Sequence, residues 1–484
     1  MPLLSLPSDL LLELVSHLEV LDAYYLSLTC RCIRNLSLDQ HAYWAEVLVN
    51  SQQLLPFPQH EDVRSLSREK LRKLVLRVVT LENNLHSEEP LLKQPTIRHD
   101  LSGQLANHTR LINIPGTPIM ILGCKEIECI DCFDYIHGRR LSSTAFTGHL
   151  HAISAPFHEY GKTTVVVQIA SGILDHNPAL HALTVKYALT GDGETWTVQA
   201  SFNQVPGVRM DPMAGLPVMA ICTDADVAAY TLPLFEGDGD PGYLKVAAHE
   251  ISTGRTTTIT TDLVIGVDVN DYVLTLKNRE LFIIREDKSF TCIWTIPSSL
   301  LPYHDNAVEA LATYKCVSNP HYHGYEVADH SSLFANIITH THTSNSIRPD
   351  IQATLVSSET ALHAWFQYRR WTLPGARSQR HFASIIPFIV ESPEACDGPQ
   401  ISSSLSSLLY MARAAAGRKR KVPELRLLRF HERSGRAHVT HHKLQTPKDL
   451  DSRKVANLIF DEGLGVALVL LFDGTLYVLR YGAV

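Results

Sequence analysis

The chain has 484 residues, 45% of them hydrophobic and 19% charged, and carries a formal charge of −7. Such a length allows more than one domain with a full core, and the acidic balance argues against a general nucleic-acid binder, which would be basic. Nine cysteines, odd in number and without framework spacing, fit free thiols in a reducing interior better than a disulfide scaffold.

Asp9 and Glu13 interrupt the stretch where a secretory signal needs an unbroken apolar core. The most apolar run, Val466 to Phe472, is far too short to span a bilayer as a helix. The expectation is therefore a cytoplasmic and/or nuclear protein with no membrane partner, in which the sequons at Asn35 and Asn107 are accidental.

Four short helices are expected within residues 1–50. Pro7 suits a first helical turn because its missing N–H costs nothing there, and Asp9 suits the positive end of the helix dipole. The apolar residues Leu10, Leu11, Leu12, Leu14, Val15 and Leu18 exceed the stripe needed to face one core. Asp22 is a natural N-cap for a second helix carrying Leu26 and Leu28, a third runs from Arg31 through Ile33 and Leu36, and Asp39 can cap a fourth holding Trp44. A unit this small buries little surface, so its surplus leucine points to a partner. A leucine-rich cap on the larger domain is the plainer alternative.

The stretch Leu6-Pro7, Asp9-Leu10, Val15, Leu18, Asp22, Leu26, Leu28, Cys30-Arg31, Arg34, Leu36 and Trp44 resembles the F-box, the helical module by which substrate receptors dock on the adaptor Skp1. Ile33 stands where the family often has Trp and keeps the position apolar. The resemblance implies Skp1 contact or internal core roles for Leu6, Pro7, Leu10, Leu11, Leu14, Val15, Leu18, Leu26, Leu28 and Trp44, without dividing the two sets. Through Skp1 it implies a cullin-RING ubiquitin ligase.

Residues 51–95 read as a linker, with Pro56 and Pro58 in a connector before an amphipathic helix capped by Ser67. Its Leu71, Leu74, Val75, Val78 and Val79 recur at helical spacing, and Arg68, Lys70, Arg72, Lys73 and Arg77 take other faces. The segment resembles the one following the F-box in many fungal F-box proteins, and bracketing the two domains is its expected role.

From residue 96 to 484 the texture is all-β. Short runs rich in Val, Ile, Leu, Tyr and Thr alternate with Gly, Pro, Asn and Asp clusters. Ile119 to Asp134 reads as a hairpin, Thr163 to Ala170 pairs with Leu180 to Leu189, and Trp196 to Phe202 continues that sheet. Asp473-Gly474 marks a tight turn. Strand clusters spaced by roughly forty to fifty residues suit a β-propeller of about seven blades better than one sandwich. Asp262 to Pro297 looks like a degenerate WD40 blade of four strands, with Trp294-Thr295 where a Trp-Asp pair would stand. Residues 391–423 read as an exposed insertion with Leu408 to Ala416 in helix, followed by a basic run, Arg418 to Lys421, that resembles a nuclear localisation signal.

Motifs for chemistry fail on context. Gly237 to Gly242 satisfies G-x-G-x-x-G, but Glu236, Asp238 and Asp240 would repel a pyrophosphate and no strand–helix frame surrounds it. Gly161-Lys162-Thr163 lacks a Walker glycine at Pro156 and precedes a strand. The pairs His321/His323 and His340/His342, and the cluster Cys124, Cys129, Cys132 and His137, lack the companion pair of a closed zinc site. Asp224, Asp226, Asp268 and Asp271 read as turn-capping carboxylates. No cofactor, metal or catalytic residue is expected.

The expected protein is thus a non-catalytic substrate receptor of an Skp1-cullin-F-box ligase, its propeller holding a protein target and making no direct contact with nucleic acid. The alternatives are a propeller enzyme or carbohydrate-binding protein with a helical cap, and an F-box protein acting with Skp1 outside a ligase.

Overall fold

The computed structural model describes residues 6–482 except 51–61, 103–109, 125–127, 155, 160, 171–178, 191–194, 207–219, 235–241, 266–271, 278, 287–289, 316–317, 323–333, 340–349, 358–361, 370–383, 391–395, 402–406, 413–422 and 434–435. Helices come first: α1 (Ser8–Ser16), α2 (Val20–Thr29), α3 (Arg31–Asp39), α4 (His41–Asn50) and α5 (Arg68–Leu85). Pro7 precedes α1 and its carbonyl accepts the Leu11 N–H at 3.1 Å. Cys30 caps α3 through its Sγ, which accepts the Ile33 N–H at 3.5 Å. Ser67 caps α5 as expected, accepting the Lys70 N–H at 3.4 Å. Asp22 and Asp39 are not caps: α2 begins two residues before Asp22, after Glu19, and Asp39 is the last residue of α3. Val20 is fully buried and Leu21 packs against the same core, so packing moves the helix start ahead of the better capping residue.

The rest is β-propeller. The described strands form seven sheets, each built from a meander of antiparallel strands. Six follow in chain order, with first strands at Arg110–Asn113, His149–Ile153, Ile221–Thr223, Tyr272–Lys277, Phe334–Thr339 and Cys396–Ile401. The seventh joins Val455–Asp461, Val466–Leu471 and Thr475–Arg480 to Ile97–Asp100, which pairs antiparallel with Thr475–Arg480. The strand that follows α5 thus completes the last sheet and pins the two ends of the propeller together, leaving only the short edges that a propeller blade keeps.

Among the described side chains, cores join the closing sheet to its two neighbours and join in succession the sheets that begin at Arg110, His149, Ile221 and Tyr272. In the closing sheet Val466, Leu468 and Leu470 pack towards the sheet of Ile119 and Phe133, while Ala467, Val469 and Leu471 face that of Leu409 and Leu427. Alternate side chains leave opposite faces of a strand, and here both faces are covered, so the run is apolar throughout. The turn at Asp473-Gly474 takes Gly474 to φ 83°, against the backbone of Ser102 where a Cβ would not fit.

Three readings change. Leu263 belongs to Thr256–Ile265 of the preceding sheet, and the fourth strand beside Phe290–Ile296 is Ser318–Tyr322. The intervening chain leaves the sheet, and Leu311–Tyr314 adds to Thr256–Ile265 in parallel. Ser407–Ala412 is a strand rather than part of a helix, with Leu409, Tyr410 and Met411 buried. Its Leu-Leu-Tyr-Met run scores as helix locally, and burial between sheets overrides that propensity.

Candidate functional site

The four amino-terminal helices and the first half of α5 share one core, containing Val15, Val20, Ala23, Ile33, Tyr43, Trp44, Val47, Leu48, Leu71, Leu74, Val75 and Val78. Helix α4 is apolar over most of its surface, with Glu46 turned out to pair with Arg64 at 3.0 Å, and its neighbours cover enough of it for adjacent Tyr43 and Trp44 both to be buried. The Tyr43 hydroxyl donates to the Ala23 carbonyl at 2.9 Å, and its ring meets Trp44 edge-on at 4.7 Å. Burial pushes the Tyr43 hydroxyl up to about 12. Trp44 is among the residues expected from the sequence and Tyr43 is not, although the apolar run on either side of Glu46 is the available signal.

The ten residues assigned to docking or core fall into buried, exposed and half-buried sets. Leu11, Val15 and Trp44 are buried. Leu10 and Leu28 are 54% and 55% exposed, Leu14 is 37% exposed, and Pro7 is exposed. Leu6, Leu18 and Leu26 are half-buried, the last two packed against the inner core. On α1 the division follows helical geometry: Leu11 and Val15 sit four apart on the inner face, and Leu10 and Leu14 sit four apart on a face turned by about 100°. The outer set is the unpartnered apolar surface that the leucine surplus foreshadowed.

Helix α5 ties this unit to the propeller. Its last two turns leave the helical core, and Leu81 and Leu85 enter the cluster formed by the last two sheets. Beside them Glu82 and Arg429, both under 10% exposed, form a bidentate ion pair at 2.8 and 3.0 Å. Asn84 Nδ2 donates to the carbonyls of Leu91 and Tyr481 at 2.8 and 2.9 Å, and its Oδ1 accepts the Leu91 N–H at 3.1 Å. His442 Nδ1 bonds the Ser87 carbonyl at 2.7 Å, and the Lys93 N–H donates to Arg480 at 2.9 Å. Gly465, at φ 64°, leaves room for Leu81, whose Cδ1 would lie 2.3 Å from any Cβ there. The sequence reading found none of these polar partners. Glu82 and Arg429 stand 347 positions apart, a separation no local pattern encodes.

The described residues of the motifs with chemical potential make structural contacts. Cys129 and Cys132 lie three apart on Cys129–Asp134 and so face opposite sides, Cys132 being in the core. His137 is held by Asp134 at 2.7 Å. Among the described residues no group of His, Cys, Asp and Glu could hold a metal ion. Asp224 is a buried turn cap: its Oδ1 accepts the N–H groups of Asp226 and Val227 at 2.8 and 2.7 Å, and its Oδ2 accepts from the Tyr303 hydroxyl. Burial pushes its carboxyl up. Asp226 is exposed. Gly161 is a hairpin turn with a strand behind it, and Gly242 likewise opens a strand, not a helix. The rest of the 237–242 loop, Asp268, Asp271, His323, His340, His342 and the run Arg418 to Lys421 lie outside the described residues. No helix among the described residues is long and apolar enough to cross a membrane.

A small helical docking unit with apolar side chains left uncovered, fixed by a bridging helix to a closed propeller, defines a protein-binding adaptor. Residues 3–44 match the F-box domain family, so the chain carries an F-box domain ahead of its propeller. No curated protein matches the chain. Among solved structures it is similar to the β-propeller domain of Cps50 (Swd1) from Myceliophteria thermophila, at 10% identity and a TM-score of 0.38, covering 80% of this chain and 98% of that one. The C-terminal WD40 domain of Sif2 is 11% identical with a TM-score of 0.36, covering 81% and 99%. Hydrazine synthase from Kuenenia stuttgartiensis is 6% identical with a TM-score of 0.39, covering 75% and 92%. The propeller assignment rests on the chain's own sheets and their closure.

Proposed function

We propose that this protein is the substrate-recognition subunit of an Skp1-cullin-F-box ubiquitin ligase. The observation that carries the reading is the split within the F-box: Pro7, Leu10, Leu14 and Leu28 face outward while their neighbours complete the core. Skp1 covers that outer set, with Leu6, Leu18 and Leu26 at its margin. The propeller binds a protein target, and α5 holds it at a set orientation. Ubiquitin comes from an E2 recruited by the cullin-RING partner, so this chain supplies no catalytic group. It acts by proximity, raising the effective concentration of target lysines beside the E2. A cytoplasmic or nuclear location follows from that role.

The test is co-expression with Skp1. The intact chain should form a soluble complex that also recovers a cullin, and joint Leu10→Asp and Leu14→Asp replacement should abolish it while the fold persists. Failure of the intact chain to bind Skp1 would sink the reading, and recovery of Skp1 without any cullin would confine it to an F-box role outside a ligase.

A further inference from the structure

Helix α5 has a second surface that the joining of the two domains leaves unused. Its inner side is consumed by the helical core and the propeller, whereas Arg68, Arg72, Lys73, Leu76, Arg77 and Thr80 remain exposed. Leu76 is 48% exposed, unusual for an apolar residue in the middle of a long packed helix. At 100° per residue, Arg72 and Lys73 fall within about 60° of Leu76 on either side, and Arg68 and Arg77 flank them. Lys73 pairs with Glu69 at 2.9 Å, but Arg68, Arg72 and Arg77 have no ion-pair partner among the described residues. A cationic stripe with an apolar centre therefore runs along a chain whose net charge is −7.

We propose that this face of α5 binds an acidic amphipathic helix of a partner protein, its carboxylates meeting Arg68, Arg72, Lys73 and Arg77 and an apolar side chain covering Leu76. Charge complementarity selects the sign of the partner, and the pattern selects its form. Arg68 to Asn83 spans about 22 Å, the length of roughly four helical turns, so carboxylates spaced three and four apart would track the stripe. A membrane surface is a poorer occupant, because the broad apolar face that a helix needs for insertion is already buried in the protein. Nucleic acid is poorer too. Single strands are held by stacking on aromatic side chains, whereas the stripe centres on the aliphatic Leu76, and the nearby aromatic, Tyr25, has its hydroxyl bonded to Asn83 at 3.0 Å.

The experiment titrates the full-length protein with a fluorescein-labelled helical peptide of about sixteen residues, glutamates at i and i+4 around one leucine, read by anisotropy. The controls are the same peptide with glutamine for glutamate, a single-stranded oligonucleotide and phosphatidylserine vesicles. The acidic peptide should bind, the glutamine peptide should not, and Arg72→Glu with Lys73→Glu and Arg77→Glu should weaken binding about tenfold or more. Leu76→Ala should weaken it several-fold at unchanged salt dependence. All four positions are exposed, so melting temperature and Skp1 capture should stay as in the parent, which separates this proposal from the F-box reading. Equal binding by the parent and the charge-reversed variant, or α5-dependent binding of the oligonucleotide or the vesicles in place of the peptide, overturns it.

Discussion

Removing Arg429 tests how the F-box unit is fixed to the propeller. In the Arg429→Met variant the Glu82 carboxylate, under 10% exposed, loses two charge-assisted hydrogen bonds at 2.8 and 3.0 Å. Breaking a buried pair from one side costs about 3–5 kcal/mol, because the remaining charge stays out of water without a partner. His86, whose Nδ1 lies 3.4 Å from the Glu82 carboxylate, is itself nearly half exposed and replaces little of what Arg429 supplied. The double variant Glu82→Met with Arg429→Met leaves no stranded charge, so it should recover most of the loss. Urea denaturation of the full chain, followed by tryptophan fluorescence, measures all three proteins. A loss below about 1 kcal/mol, or a double variant no better than the single, would refute the claim that this pair anchors the joint.

The division of the F-box predicts opposite outcomes for neighbouring substitutions: Leu10→Asp should remove Skp1 binding with melting unchanged, whereas Trp44→Ala should cost about 3–5 kcal/mol by leaving a cavity, read by thermal melting. Gly465→Ala needs a Cβ 2.3 Å from Leu81 at φ 64°, so it should lower stability by about 1–3 kcal/mol, and pairing it with Leu81→Ala should relieve the clash but not the backbone strain. His249 is buried between the Tyr230 hydroxyl and Thr256, and burial holds its ring down at about 4. Its folded form therefore resists protonation, and its contribution is present above pH 6.5 and lost as pH falls towards 4, by about 3 kcal/mol in all. Comparing urea midpoints at pH 7 and pH 4.5 for the parent and His249→Gln isolates that slope, and identical slopes would disprove it.

Much of this protein is legible without coordinates because its signals are local. A proline before a leucine block, a serine cap at Ser67, alternating strands and the Asp473-Gly474 turn are each decided within a few residues, by backbone sterics and by side-chain period. Local signals also mislead where burial outweighs propensity, as in Ser407–Ala412, or where a strand completes a distant sheet, as Ser318–Tyr322 does.

For the opening helices, the sequence by itself determined that too much leucine is present for so small a core. Only the tertiary structure decided which leucines are surplus, since that depends on how α4 and α5 pack against α1 and α2. The Glu82–Arg429 pair and the Ile97–Asp100 closing strand belong to the same class. They join residues hundreds of positions apart, and their free energy exists only once the chain has brought both ends of the propeller together.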